Sequence, residues 1–452
     1  MFDREVVRKR IGRWMGVVLC LSLAFGLLPM MPGPARGDED GLIASAKATR
    51  TKKTVRKARP RPRTAKKKAP AAPRTFASGH GTAKSPWTIR TVAQLQAFSQ
   101  TVAQGQCYVG KHIRLDADLD LSNVSWLPIG VVRDGEMLAF SGTFDGNGRT
   151  VRGLKVDRVS GMPTGLFGSL VGATIQRLNV EGADVRGDAD VGALAGSALK
   201  TTFTRCSASG SVAGEIDVGG LVGSAVESRM DGTSFHGDVT GTDHSVGGAV
   251  GAAFGATLVG VEAQGAVAGR ENVGGLVGTF QAGMLKASQA RSSTVSGERN
   301  VGGVVGGTAG PISFESVIFD GNVEGTENVG GILGSQEQGT VKDALAKGWV
   351  MGVDQVGGVV GKLGGGTALR CASAANVNGR IGIGGVVGMM DDGLLDRCRA
   401  TGEVRGGDAV GGLIGQMGAG NYRECRPAHM VYGSLRQGYE VGKVLARTDW
   451  SD

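Results

Sequence analysis

From residue 164 onward the apolar and polar positions of the chain recur in a fixed unit. The hexad VGALAG begins at 191, and close copies begin at 218, 246, 273, 301, 329, 356, 383 and 410, in steps of 27 or 28 residues. A weaker copy, TGLFGS, stands at 164, so ten units fill 164–436. Each unit continues through a Gly/polar break into a second alternating run, such as TALRCASAA, and a third short run, such as SVAG, EVRG or NVEG. Three short strand-like runs, with no 3.6-residue apolar spacing long enough for a helix, predict a coil with three faces. A period of this length marks a solenoid, in which each unit buries its apolar edge only against its neighbours. The expected fold is all-β: a right-handed parallel β-helix of about ten coils, its hand set by the right-handed crossover rule. At a strand spacing of about 4.8 Å the rod would be roughly 48 Å long.

Within the unit, recurrence decides what the glycines are for. A phosphate cradle occurs once, before one helix N-terminus; these glycines occur in every coil. Gly219, Gly274, Gly302, Gly330, Gly357, Gly384 and Gly411 all hold the second place of the hexad, which calls for positive φ or a close backbone approach. The residue before the hexad is Asp190, Asp217, Ser245, Asn272, Asn300, Asn328 or Gln355, a polar column expected to hydrogen-bond along the rod. A second column, Cys206, Val261, Ser288, Ala344, Cys371, Cys398 and Cys425, is small throughout and is expected to face inward. Places four and five are both apolar, as in Leu221 and Val222 or Leu276 and Val277. Adjacent strand residues point to opposite faces, so one of the two columns is expected to form an outward apolar stripe unless a local bend turns both inward. Such a stripe would favour self-association or cover by another segment.

Tandem NVGGLVG resembles the GLUG motif of bacterial secreted and surface proteins, adhesin-like repeats and the non-catalytic parts of some zinc IgA proteases. GHGTAKSPWTIRTVAQLQAF, KHIRLDADLDLSNVSWLPIG and FSGTFDGNGRTVRGLKV are similar to segments that precede such repeats, so the likeness covers about 78–436. The resemblance implies a secreted β-helical scaffold. It implies no particular chemistry.

Charge divides the chain. Arg4, Arg8, Lys9, Arg10 and Arg13 precede MGVVLCLSLAFGLLPMM, which reads as a signal peptide over 1–37, with an uncleaved anchor as the alternative. Residues 38–75 follow as a basic linker; 47–75 hold 13 Lys or Arg and no acid, which suits a disordered segment, either a tether to anionic envelope polymers or a solvated spacer. Residues 1–75 carry 19 basic and 5 acidic residues, net +14, so the formal +9 of the whole chain leaves −5 for 76–452. Residues 76–163 are expected to cap the β-helix, through a helix with Thr91 as N-cap, Gln94 as capping-box partner, Val92, Leu95, Phe98 and Val102 on one side and Gly105 as its stop. Residues 437–452 are expected to cap the other end.

Candidate chemistry is sparse. His80, His112, His236, His244 and His429 are the histidines, and none begins H-E-x-x-H, so the zinc site of the IgA proteases is not expected. Asp116, Asp118 and Asp120 alternate with apolar residues and form a weak calcium candidate on one strand face. Asp145 to Gly148 read as a tight turn. Asp391 and Asp392 are a lone acidic pair. Cys371, Cys398 and Cys425, one unit apart, are expected as buried thiols, with a 371–398 or 398–425 disulfide as the alternative. Aromatic residues form no ladder through the repeats. The expected function is an exported, non-enzymatic scaffold binding a macromolecule, envelope polysaccharide or protein, along its rod. No cofactor and no intracellular nucleic acid are expected. The alternative is a polysaccharide-active lyase or hydrolase on the same fold.

Overall fold

The computed structural model describes residues 75–157 and 161–445; the expectations for a signal peptide and a basic linker fall outside the described residues. The chain forms a parallel β-solenoid of about 13 turns. A representative turn runs Glu271–Gly274, Val277–Lys286 and Gln289–Ser296 before Arg299–Gly302 begins the next. The first strand of each turn joins a ten-stranded sheet (sheet 1), the second a 21-stranded sheet (sheet 2) and the third a 15-stranded sheet (sheet 3). Pairing keeps hexad on hexad: Val273 lies beside Val246 and Val301, and Gly274 beside Gly247 and Gly302. One continuous apolar core runs from Ile89 to Ala428.

The runs read from the sequence do not lie one to a face; they straddle the corners. In VGGLVG the first two residues end a sheet 1 strand, the next two bend, and the last two open a sheet 2 strand. That bend overturns the outward apolar stripe. Leu221, Val222, Leu276, Val277, Val304, Val305, Ile332, Leu333, Leu413 and Ile414 are all fully buried, because the chain turns between places four and five and both side chains enter the coil. The expected apolar face for self-association is therefore not formed.

The solenoid also begins before the repeats. Trp87–Ile89, His112–Leu115 and Thr143–Asp145 are parallel rungs of sheet 2, with Trp87 beside Ile113, His112 beside Thr143, and Thr143 beside Thr174. Residues 76–163, expected as a cap, thus supply three turns as well as the covering helix, which accounts for about 13 turns in place of ten. At the other end Gln437–Gly438 and Val441–Val444 continue sheets 1 and 2, so the stretch expected as a C-terminal cap is a further rung as far as it is described.

Helix α1 (Val92–Val102) closes the N-terminal interior. Thr91 Oγ1 accepts from the Gln94 N–H at 3.3 Å, while Gln94 Oε1 accepts from the Arg90 N–H at 2.8 Å, one residue earlier than a standard capping box. Leu95, Phe98 and Val102 are buried, and Gly105, at φ +95°, ends the segment. Phe98 lies 5.5 Å from Phe140 and 6.1 Å from Phe144, ring to ring. The SWLPIG segment ties this end to the first repeat: the Trp126 indole donates to the Leu166 carbonyl at 3.1 Å, and Ile129 bridges to Phe167.

Candidate binding surface: ladders on the outer walls

Three kinds of ladder fix what the rod presents. The first stands at the residue before each hexad. Asp190, Asp217, Ser245, Asn272, Asn300, Asn328 and Gln355 all have φ between 53° and 62°. The left-handed conformation therefore belongs to this polar column and not to the glycines after it, a correction to one of the two roles expected for them. Asn tolerates that region best among non-glycine residues. The amides are also linked, Asn300 Nδ2 donating to Asn272 Oδ1 and Asn328 Nδ2 to Asn300 Oδ1, each at 2.9 Å.

The second-place glycines answer to close approach. A Cβ on Gly302 would lie 1.9 Å from the Val305 carbonyl oxygen, and Gly219, Gly274, Gly330, Gly357, Gly384 and Gly411 meet the equivalent carbonyl at 1.9–2.2 Å. The tight corner between sheets 1 and 2 has room only for hydrogen there.

A second left-handed column marks the corner between sheets 2 and 3: Arg177, Arg205, Gly232, Gly260, Ala287, Ser316, Asp343, Arg370, Arg397 and Glu424. Its members share no side-chain chemistry, so nothing in the residue types announced it. Several of its charged members pair at the edge of the rod. Arg177 binds Asp145; Arg370 binds Asp343 through two 2.8 Å bonds; Arg397 reaches Asp396 at 3.2 Å and Glu424 at 3.3 Å. Glu315 sits between Lys286 at 2.8 Å and Lys342 at 3.0 Å, whose ammonium groups hold its carboxyl down to about 2. Along the sheet 3 to sheet 1 corner, Arg270 pairs with Asp243, Arg299 with Glu271 at 2.7 Å, Arg380 with Asp354 at 3.2 Å and Arg436 with Asp408. Hydrogen bonding from Arg436 depresses the Asp408 carboxyl to about 2. Exposed pairs of this kind add little stability singly. Their effect is to set the charge pattern of the walls.

The cysteine column faces inward as expected. Cys371 and Cys398 are fully buried and Cys425 is half-buried, all as free thiols, so neither alternative disulfide is formed. Each thiol points at the turn below, donating to the carbonyls of Val341, Ala368 and Leu395 at 3.4, 3.2 and 3.7 Å. Contact with the Cys371 thiol, together with burial, pushes Cys398 up to about 12, while the same contact lowers Cys371.

The acidic candidates are not brought together. The strand containing His112 ends at Leu115, and the chain bends at Ala117 before pairing again at Leu119, so Asp116, Asp118 and Asp120 do not share one strand face. Asp116 binds Arg90 and Arg114, Asp118 accepts from the Thr150 N–H at 3.1 Å, and Asp120 accepts from the Ser122 N–H at 2.9 Å. Asp391 binds Lys362 at 3.1 Å while Asp392 caps the Gly393 N–H at 2.7 Å. Asp145 does form the turn read from FDGNG, accepting from the Asn147 N–H at 2.8 Å. Among the described residues no group of three or more His, Cys, Asp or Glu side chains is placed to hold a metal ion.

Sequence reasoning passed over one region of sheet 3. Arg399 and Arg426, one unit apart, are bridged neighbours on adjacent turns. Trp349 and Tyr432 stand on the same wall, 48% and 50% exposed. The one-unit separation of the two arginines was the available signal.

No family model matches the chain. It is 37% identical over 145 residues to halomucin of Haloquadratum walsbyi, a match covering 30% of this chain and 2% of that protein. It is 33% identical over 131 residues to a protein provisionally named a Gly-rich membrane protein in Evansella cellulosilytica, covering 27% of this chain and 14% of that one. The chain therefore spans a small part of the length of both relatives. A crystal structure of a provisionally assigned immunoglobulin A1 protease from Bacteroides ovatus aligns over 82% of this chain and 87% of that one, at 16% identity and a TM-score of 0.29.

Proposed function

We infer that the chain is a surface-exposed, non-enzymatic scaffold that presents the walls of its solenoid to a macromolecule. The observation that carries this reading is the organisation of the exterior into ladders: the exposed positions repeat at one strand spacing, about 4.8 Å, and corner carboxylates are neutralised by cations of the next turn. A rigid periodic wall suits an extended polymer better than a small molecule, which calls for a concave pocket. The relatives named a halomucin and a Gly-rich membrane protein agree with a place at the cell surface, as does the GLUG resemblance, and the basic segment 47–75 suits attachment to anionic envelope polymers.

The test has two parts. Intact cells expressing the full chain are labelled with an impermeant amine reagent; the rod's lysines should react without lysis. Purified full chain is then incubated with envelope polysaccharide and assayed for new reducing or unsaturated chain ends. Protection of the lysines in intact cells overturns the surface reading, and steady release of chain ends establishes the lyase or hydrolase alternative.

A further inference from the structure

We propose that the last four turns of sheet 3 bind an acidic polysaccharide chain laid along the rod. The inference rests on the scaffold reading and gives it a site and a ligand class.

Charge first sets these turns apart. Residues 161–340 contain 18 acidic and 9 basic residues, net −9, whereas 341–445 contain 9 acidic and 12 basic, net +3. On sheet 3 the change is visible along single columns of in-register residues. One column runs Ser207, Ser234, Glu262, Gln289 and Ile318 before reaching Leu345, Ala372, Arg399 and Arg426. Its early members are neutral or acidic, and its last two are arginines.

Arg399 and Arg426 are the informative pair. They are exposed, stacked on neighbouring turns about 4.8 Å apart, and neither makes an ion pair or hydrogen bond to any described carboxylate. Like charges directly opposite on paired strands repel. Arg370 and Arg397, likewise stacked on neighbouring turns, are each bound to a carboxylate, Asp343 and Asp396 respectively. The unpaired cations call for an anion from outside, and guanidinium forks take carboxylate or sulfate oxygens in two parallel bonds.

The rest of the wall supplies what a sugar chain needs. Trp349 lies in register with Asn376, and half-buried Met351 heads the next outward column, followed by exposed Asn378, Arg405 and Tyr432. Arg405 is fixed over the Tyr432 ring at 5.0 Å and to Glu403 at 2.6 Å. Half-exposed rings offer an apolar body for the C–H face of a pyranose, and Asn378 and the guanidinium groups can bond its hydroxyls. The two rings stand three turns apart with polar side chains between. Single-stranded nucleic acid grooves instead stack successive bases on successive rings, so the spacing favours a polymer whose residues are mostly held by their polar edges.

The experiment uses the full chain with polygalacturonate as probe, neutral dextran and oligothymidylate as comparators, and circular dichroism to establish that each variant is folded. Polygalacturonate should quench tryptophan emission, dextran should not, and the quench should vanish in Trp349→Phe. Arg399→Gln/Arg426→Gln should weaken binding roughly tenfold or more, since two charge-assisted bonds are removed. Unchanged affinity in the arginine variant together with an unchanged quench in Trp349→Phe places binding elsewhere and overturns the wall, while the scaffold reading stands. Displacement of polygalacturonate by oligothymidylate at equal charge overturns the saccharide class. Absence of any polygalacturonate binding by folded protein overturns the proposal outright, independently of surface labelling.

Discussion

Around Phe98 the solenoid interior is packed with rings: Phe76, Trp87, Tyr108, Phe140, Phe144 and Phe167 all lie within 4.9–6.3 Å of at least one other ring. From Val191 onward the interior is mostly Val, Leu, Ile, Ala, Met and Cys with single phenylalanines, and one ring pair, Phe280 and Phe314, at 5.1 Å. Both regions make the same parallel rungs. In the first, large side chains fill the interior, and Gly105, which ends the helical segment, has nothing within 4 Å of where a Cβ would lie. In the second, the backbones approach so closely at the corner between sheets 1 and 2 that the second-place glycine of each hexad serves space. One architecture thus rests on two packing solutions, one irregular and local, the other small and repeated.

The largest effect expected in the repeated region comes from its paired apolar columns. Leu276→Asn/Val304→Asn and Val277→Asn/Val305→Asn each bury two amides without partners, and each pair should cost on the order of 5 kcal/mol or more. Chemical denaturation that finds either pair near wild type would return that column to the surface. In the ring-packed region, Phe98→Ala should cost about 3–5 kcal/mol by leaving a cavity under helix α1. A loss below about 1 kcal/mol would mean that the helix does not close this end. The glycine contrast is sharper still: Gly302→Val should cost about 3 kcal/mol, because the Val305 carbonyl must move, whereas Gly105→Ala should cost only about 1 kcal/mol from its left-handed φ. Equal costs would erase the distinction between space and conformation.

The smallest effect is electrostatic. The Glu315 carboxyl, held at about 2 by Lys286 and Lys342, favours the folded state above its ordinary value of about 4.3 and loses that contribution as pH falls through about 2. Lys286→Met/Lys342→Met should return its titration, followed by carboxyl NMR, towards the ordinary value. An unmoved titration would show that neighbouring turns do not control charge at the corner.

The repeat period made the solenoid and its hexad stacking legible, and chemical likeness made the Asn272, Asn300 and Asn328 column legible, because an amide ladder needs one residue type. The corner at Arg177, Arg205, Ala287 and Ser316 was not legible: it is defined by backbone conformation that unlike side chains share. The first three rungs were hidden because Trp87, His112 and Thr143 open them without a hexad. The outward stripe failed for a related reason, since strand alternation was carried across Gly275–Leu276, where the strand is interrupted. On the walls, the acids drew notice through their spacing in sequence, while Arg399 and Arg426 became conspicuous only when the turns were stacked and no acid lay opposite.

The near-identity of the hexads at 273, 301 and 356 has a consequence for how the chain finds its structure. A turn displaced by one whole unit would meet almost the same neighbours, so the repeats alone discriminate weakly between correct and skipped pairing. The ring-packed rungs have no second copy. With Trp126 bonded to the first repeat, they give the repeats one distinct neighbour at their start, against which register can be set. A chain shorn of that start would be expected to collapse into rods of mixed register, alike in secondary structure and different in which turn lies beside which.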